Sequence, residues 1–250
     1  VGAVLRTPFP KPVVRTVIRG FSKAYGVETG EAEQDYLSYP TFNDFFTRRL
    51  KSGVREIDAT PDIAVSPVDG KVGQAGPIEG GKLVQAKGRT FTVAELLANE
   101  LDAADYEDGT FATLYLAPYN YHRIHAPLAG RITGYTYVPG HLWPVNEKGV
   151  QEIDRLFAVK ERLVTHLETA AGKVALVKVG ATCVGRIRAT YDDVVTNDRG
   201  GERATRRVRY DAPIDVDKAG ETGVFEMGST VIVLFQKGRV SEKVPVDEGI

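Results

Sequence analysis

Several residue types are scarce in this 250-residue sequence, and each shortage excludes a class of protein. The single cysteine, Cys183, excludes an internal disulfide framework and any metal site built from several cysteines. No apolar run approaches about 18 residues, so no segment is expected to span a membrane as a helix. Charged residues interrupt every apolar stretch near the N-terminus, unlike a secretory signal. A net charge of -1 gives no general attraction for nucleic acid. The single cysteine and the lack of a secretory pattern make a reducing, cytoplasmic-side location the expectation.

The first 25 residues carry basic side chains and no acidic one. Apolar residues recur there at helical spacing, while Arg15, Arg19 and Lys23 follow each other at intervals of four on another face. This pattern predicts a basic amphipathic helix over 13–25. Such a helix lies in the interface of an anionic membrane or packs against protein. In the first case Arg15, Arg19, Phe21 and Lys23 would contact the membrane.

From about residue 63 the sequence changes to short β-rich runs separated by glycine and proline. A single helix is predicted in "TVAELLANEL", and Thr41 or Asn43 is the expected cap of a short helix before "DFFTRRL". The pattern predicts an α+β fold with a mostly antiparallel β core, barrel- or sandwich-like, and short N-terminal amphipathic helices. The expected division is an N-terminal helical segment, 1–60, and a β-rich domain, 61–250. The basic run "NDRGGERATRRVRY" is interpreted as a solvated hairpin, since no aromatic residue interleaves its charges.

Two of the four histidines, His122 and His125, lie in "APYNYHRIHAPLAG". Three residues apart, they would point to opposite faces of a regular strand but could converge on a turn or bulge. They lack an obvious third metal ligand, and the sequence has neither an "HExxH" motif nor a cysteine pair. No metal site is therefore predicted.

Two short polar segments, each next to an apolar stretch, complete the set of candidate catalytic residues. Asp69-Gly70 is either a hairpin turn or a carboxylate presented to an interior site. Gly228-Ser229-Thr230 stands directly before the apolar run 231–235, as a plain turn or as a reactive serine. A serine becomes a nucleophile when a base takes its proton and a carboxylate orients that base, and Asp69, His125 (or His122) and Ser229 supply these groups. The hydrolase pattern "GxSxG" is absent around Ser229.

Eight co-linear segments resemble the phosphatidylserine decarboxylases, a family of self-processing, pyruvoyl-dependent enzymes. They cover residues 39 to 235 and read "YPTFNDFFTRRLKSGVREID", "SPVDGKV", "VQAKGRTFTVAELL", "TLYLAPYNYHRIHAPLAGRI", "YVPGHLWPVNEKGV", "LFAVKERL", "VKVGATCVGRI" and "KAGETGVFEMGSTVIVLF". The Tyr-His-x-x-His-x-Pro and Gly-Ser-Thr segments are the most specific. One departure is Lys160-Glu161-Arg162, where the family usually has Asn-Glu-Arg.

The resemblance implies that the precursor cuts itself between Gly228 and Ser229, giving chains 1–228 and 229–250. Ser229 would attack the preceding carbonyl, with the position of His125 matching the family's base and that of Asp69 matching the residue that orients it. Elimination and hydrolysis would turn Ser229 into a pyruvoyl group. This covalent cofactor would form a Schiff base with the substrate amine and accept the electrons released with CO₂, without metal or pyridoxal phosphate. His122 would serve the decarboxylation phase as proton donor or carboxylate positioner.

The resemblance also implies a phospholipid substrate, phosphatidylserine converted to phosphatidylethanolamine, and peripheral attachment at the cytoplasmic face of a membrane. Phe45 and Phe46 would add insertion residues or form a core pair. The expected partners are the lipid and the protein's own two chains; nucleic acid is not expected, and homodimer formation is left open. Three alternatives stand beside this reading: a soluble pyruvoyl-dependent amino-acid decarboxylase, a serine hydrolase using Asp69, His125 and Ser229, and a non-catalytic β module.

Overall fold

The computed structural model describes residues 2–86, 89–141, 153–181, 185–197, 204–226 and 229–241. The helices in these ranges are α1 (Gly2–Leu5), α2 (Lys11–Tyr25), α3 (Phe42–Phe46), α4 (Val93–Leu97), α5 (Glu100–Ala104) and α6 (Leu156–Val159). The strands are β1 (Lys71–Pro77), β2 (Lys82–Ala86), β3 (Arg89–Thr92), β4 (Thr110–Leu116), β5 (Arg123–His125), β6 (Gly130–Val138), β7 (Arg162–Thr169), β8 (Gly172–Gly180), β9 (Arg186–Ala189), β10 (Arg206–Val216), β11 (Glu221–Glu226) and β12 (Ser229–Phe235).

The strands of the described ranges form a large sheet, a small sheet and a hairpin. The large sheet has seven strands in the order β1-β4-β12-β8-β7-β6-β10, and the small sheet has the order β5-β11-β9. β2 and β3 form the hairpin. Each named strand pair is antiparallel. The predicted α+β fold with an antiparallel β core is confirmed.

The large sheet is covered on both faces, and β12 shows this best. Val231, Val233 and Phe235 pack in the core shared with the small sheet, while Ile232 and Leu234 pack in a second core with α4, α6 and the hairpin. A strand buried on both faces reads as a continuous apolar run, which is why "VIVLF" does not alternate. Burying each of these side chains contributes roughly 1.5–3 kcal/mol, so β12 is firmly held.

The N-terminal helices form a third cluster, the N-terminal cluster, which contains Val14, Ile18, Val27, Tyr39, Phe42, Phe45 and Phe46. α2 begins after Pro10 and ends at Tyr25, and Gly26 caps it with a φ of 67° that suits glycine. Thr41 caps α3 by accepting a hydrogen bond from the Asp44 N–H (3.1 Å), as one of the two predicted caps. Across the described ranges, no helix has both the length and the apolarity needed to cross a membrane.

Two expectations are corrected by the structure. "TVAELLANEL" forms two helices instead of one: Ala98 adopts a left-handed conformation (φ 51°), and the Asn99 side chain caps α5 by accepting from the Leu101 N–H. Phe45 and Phe46 are 0% and 2% exposed, so the expectation that they insert into a membrane is wrong. Both rings instead pack inside the N-terminal cluster.

Candidate active site

The first residue of β12 marks one end of the large sheet, here called the Ser229 end. The Cα partners of Ser229 are Leu116, the last residue of β4, and Gly180, the last residue of β8. In sequence, only two residues separate the last residue of β11, Glu226, from Ser229. The predicted cut therefore falls where the chain passes from the small sheet to the centre of the large one. Gly228 and the side chain of Ser229 lie outside what the structure describes.

Asp69 lies directly before β1, at the same end of the large sheet. Asp69-Gly70 is a strand entrance and not a two-residue hairpin turn, because β1 pairs with β4. Gly70 is required there, since a Cβ would lie 2.4 Å from the carbonyl oxygen of Tyr115. The Asp69 carboxylate accepts hydrogen bonds from Arg55 Nε (3.0 Å) and Nη2 (2.7 Å). Arg55 thus fixes this carboxylate in the wall of a cavity of about 550 Å³ that His125 also lines.

His125 is held in one tautomer by its two ring contacts. Its Nδ1 is 2.7 Å from the carbonyl oxygen of Ala219, which can only accept, so Nδ1 carries the proton. In the neutral ring the electron pair is then on Nε2, where it accepts a hydrogen bond from the Tyr121 hydroxyl over 3.1 Å. A neutral imidazole with this tautomer is ready to act as a base. The carbonyl of Ala219 bonds Nδ1 here, whereas Asp69 is bonded to Arg55; the orienting role assigned to Asp69 stays a prediction.

His122 is fully buried just before β5. Its Nδ1 donates to the Asn120 carbonyl (2.8 Å), and its own carbonyl accepts from the Phe225 N–H (2.9 Å). Nε2 therefore carries the electron pair, and it has no hydrogen-bond partner within the described ranges. Burial, with a smaller contribution from the nearby charge of Arg48, lowers the pKa of His122 to about 3. At neutral pH His122 is an uncharged acceptor, so it must gain a proton before it can donate one.

The segment that departs from the family pattern, Lys160-Glu161-Arg162, also reaches the Ser229 end. The Glu161 carbonyl accepts from the Gly180 N–H (2.9 Å), and its buried carboxylate accepts from the Tyr137 hydroxyl (2.8 Å). Burial raises the pKa of Glu161. Arg162 donates to four carbonyl oxygens, those of Glu95, Leu96, Ala158 and Lys160. These bonds make Arg162 a structural tie between β7 and the helices.

The structure brings the predicted residues into one region through both sheets. Asp69 and His125 line one cavity, and His122 is bonded to Phe225 on the strand that leads to Ser229. Sequence reasoning missed Tyr121 and Arg48, which contact or neighbour the two histidines. Nothing in the sequence distinguishes the buried Arg48 from the adjacent Arg49. A tyrosine four residues before His125 is likewise too common in β-rich sequences to point to a catalytic contact. In the part of the chain that the structure describes, no group of three or more histidine, cysteine or acidic side chains could hold a metal ion.

Comparison with known proteins identifies the family. A family model described as "Phosphatidylserine decarboxylase" matches residues 42–249. A protein of Myxococcus xanthus (strain DK1622), named "Phosphatidylserine decarboxylase proenzyme", is 52% identical over 241 residues, which cover 96% of this chain and 85% of the relative. Proteins of the same name from Anaeromyxobacter sp. (strain K) and Brevibacillus brevis are 49% and 43% identical, covering 96% and 99% of this chain and 84% and 87% of the relatives.

The chain belongs to the phosphatidylserine decarboxylase family. The resemblance stated from the sequence is confirmed. Membership favours the decarboxylase over the hydrolase and the non-catalytic β module, because the matched relatives are named as proenzymes of a decarboxylase.

Proposed function

We propose that this chain cuts itself before Ser229 and decarboxylates phosphatidylserine with the pyruvoyl group that results. Beside family membership, one observation carries the proposal. Ser229 begins a central strand that is paired on both sides, with only two residues between it and β11, and β11 pairs with the strand that bears His125. A reactive residue at such a junction has a fixed backbone on one side of the bond to be cut.

Self-cleavage needs a group that accepts the proton of the Ser229 hydroxyl. The Ser229 hydroxyl attacks the Gly228 carbonyl carbon, its proton goes to His125, and the peptide C–N bond breaks to give an ester and a free amine. Elimination of the Gly228 carboxylate leaves a dehydroalanine, which takes up water and loses ammonia. The tautomer of His125, with its electron pair on Nε2, suits the acceptor role. Tyr121, which donates to that nitrogen, is the group that can relay the proton.

The residues at the Ser229 end fit a pyruvoyl group. After the cut, residue 229 would be the N-terminus of a strand still paired with β4 and β8 along its length, so the two chains would stay together. Burial of Val231, Ile232 and Val233 would hold that terminus in place. When present, the pyruvoyl carbonyl supplies a sink for the electron pair released with CO₂.

His122 is proposed to handle protons during decarboxylation. The substrate enters as an ammonium ion and must lose a proton before its nitrogen can react. The unpartnered, uncharged Nε2 of His122 accepts a hydrogen bond from this ammonium group, and the negative charges of the bound substrate raise the pKa of the imidazole so that the proton can cross to it. It can then return the same proton to the α-carbon once CO₂ has left. This cycle reconciles the expected donor role with the acceptor form of the resting imidazole.

α2 is proposed to bring the site to a lipid surface at the cytoplasmic face of a membrane. Phe9, Val13 and Val17 are 45%, 48% and 45% exposed. Phe9 lies just before α2, and Arg15, Arg19 and Lys23 are exposed on α2 together with the two valines. Exposed apolar and basic residues on one helix suit an anionic bilayer, where each cation near the surface contributes about 1 kcal/mol.

The activity is tested by release of labelled CO₂ from carboxyl-labelled phosphatidylserine in mixed micelles. The wild-type protein should release CO₂, and Ser229→Ala should not. Ser66→Ala is the matched control, because Ser66 lines the same cavity as His125 and should be dispensable. A wild-type protein that releases no CO₂, or a Ser229→Ala variant that does, would overturn the proposal.

Membrane attachment is tested by sedimentation with vesicles containing anionic lipid. The double variant Val13→Asp/Val17→Asp should lose most vesicle binding. Val84→Asp, at a valine that is 44% exposed on β2, is the control and should bind as the wild type does. Equal binding by both variants would contradict a lipid contact through α2.

A further inference from the structure

A buried arginine with unused hydrogen-bond donors lies beside His122. Arg48 follows α3 and is only 3% exposed. Its Nη2 donates to the Tyr119 carbonyl (3.2 Å), whereas Nε and Nη1 have no partner among the residues that the structure describes. A guanidinium stays charged at any physiological pH, and burying it without an anion is costly. The two unused donors therefore suit an anionic ligand.

Arg48 lies between the N-terminal cluster and the Ser229 end. Its guanidinium carbon is 5.2 Å from the centre of the Phe45 ring, and the next ring along α3, that of Phe46, packs on His122. The charge of Arg48 contributes to the lowered pKa of His122, which fits this closeness. Tyr119, which accepts from Arg48, follows Leu116 by three residues, and Leu116 pairs with Ser229.

We propose that Arg48 binds the phosphodiester of the substrate headgroup, an inference that rests on the proposed function. The substrate has two anionic groups, a carboxylate and a phosphodiester. The carboxylate loses its charge as CO₂ departs, so a buried cation paired with it would stabilise the substrate more than the transition state. The phosphodiester keeps its charge throughout, and a guanidinium can bind it without slowing the reaction.

Arg48 joins the two parts of the protein that the lipid must reach. It donates to Tyr119 near the Ser229 end and lies over the ring of Phe45 in the N-terminal cluster, to which α2 contributes Val14 and Ile18. In the lipid, the phosphodiester likewise lies between the reacting serine and the acyl chains. His122 Nε2 is an acceptor in its resting form and suits the ammonium group, which leaves Arg48 as the donor for the anion.

The test compares Arg48→Met and Arg48→Lys with Arg131→Met. Arg131 is the matched control, because its side chain is 56% exposed and it lies on β6 at the end of the large sheet opposite Ser229. Two quantities are measured for each protein: KM and kcat for phosphatidylserine in micelles, and the inhibition constant of sn-glycero-3-phosphoethanolamine. This inhibitor carries a phosphodiester and an ammonium group but no carboxylate. Intact mass reports self-cleavage of each variant.

For Arg48→Met we expect KM and the inhibition constant to rise together by roughly ten- to a hundredfold, the worth of a charge-assisted hydrogen bond. Its kcat should stay within about threefold of wild type, and self-cleavage should be complete. Arg48→Lys should fall between Arg48→Met and wild type, and Arg131→Met should match wild type.

An inhibition constant that stays at the wild-type value while KM rises would assign Arg48 to the carboxylate and overturn the proposal. So would an inhibitor that the wild type does not bind. If Arg48→Met does not fold, Arg48→Lys decides: a folded, cut Arg48→Lys protein with the wild-type KM contradicts the proposal. Wild-type protein without decarboxylation would instead refute the proposed function itself, so the two failures are distinguishable.

Discussion

The ring of Phe46 packs on the ring of His122, with centroids 4.0 Å apart and planes inclined by 42°. Phe46 belongs to α3 in the N-terminal cluster, while His122 is bonded to β11 in the small sheet. Arg123 reinforces this junction by donating to the Thr47 carbonyl (3.0 Å) and to the Glu221 carboxylate (2.8 Å). The cluster onto which α2 packs is therefore in direct contact with a predicted catalytic side chain.

Phe46→Ala should lower decarboxylation by more than tenfold while leaving self-cleavage intact, because His122 loses the ring that fixes its plane. The space left by the missing Phe46 ring should also lower the free energy of unfolding by about 3 kcal/mol. Phe42→Ala is the control, since Phe42 is buried in the same cluster. It should lose similar stability but keep most of its turnover. Equal loss of turnover in both variants would show that general destabilisation, and not the His122 contact, is responsible.

His122→Ala and His125→Ala should separate the two reactions. His125→Ala is expected to slow self-cleavage, because the group that takes the Ser229 proton is gone. His122→Ala should still be cut but should decarboxylate at least a hundredfold more slowly, within the usual range for a lost acid-base group. The measurement is intact mass over time, followed by CO₂ release from the cut fraction. Failure of His122→Ala to cut would contradict the division of roles.

The buried side chain of Lys178 is expected to destabilise the folded protein at neutral pH. The side chain is fully buried beneath Gly223 and contacts the Thr165 hydroxyl, and burial lowers its pKa to about 7. Between this value and the ordinary 10.5, the unfolded chain holds a proton that the folded chain does not. The free energy of unfolding should therefore rise as pH rises from 7 to 10.5.

Lys178→Met should be more stable than its parent at pH 7 by about 1 kcal/mol or more, an advantage that disappears towards pH 10.5. Denaturant unfolding of an uncut Ser229→Ala background checks this. Lys173→Met, at an exposed lysine on the same strand, should show no such pH-dependent gain. An advantage for Lys178→Met that is constant from pH 7 to 10.5 would mean that the lysine is charged in the folded protein.

Gly70→Ala should disturb the Ser229 end, because its Cβ would meet the Tyr115 carbonyl oxygen at 2.4 Å. We expect a loss of about 1–3 kcal/mol and slower self-cleavage as Asp69 is displaced. Gly73→Ala on the same strand has its nearest contact at 3.8 Å and serves as the control, with both properties near wild type. Thermal unfolding and cleavage time courses compare the two, and equal behaviour would count against a close fit at Gly70.

The sequence predicts the elements whose pattern is local. The continuous apolar run of β12 and the helical spacing of α2 can both be recognised in the amino-acid sequence, and both elements form. The break at Ala98 is not visible, because alanine is the best helix former and only tertiary packing sets its left-handed backbone. The division at residue 60 stays a prediction.

The candidate site was predictable in composition but not in its contacts. The two histidines stand out because histidine is rare in this chain. The bonds of Asp69 to Arg55 and of His125 to Ala219 each join a loop residue to a residue that is distant in sequence, and no local pattern encodes such contacts. Lys178 had a visible signal, a lysine inside the apolar run "VALVKVG", whereas Arg48 and Arg49 look alike until the fold buries one of them.

Self-cleavage at Ser229 is tested most directly by the intact mass of purified wild-type protein, before and after borohydride reduction in the presence of an amine substrate. The full chain has a mass of 27.3 kDa. We predict two species that end at Gly228 and begin at residue 229, with only the smaller gaining the mass of the reduced amine adduct. A single species of full mass that gains nothing on reduction would contradict the proposed chemistry.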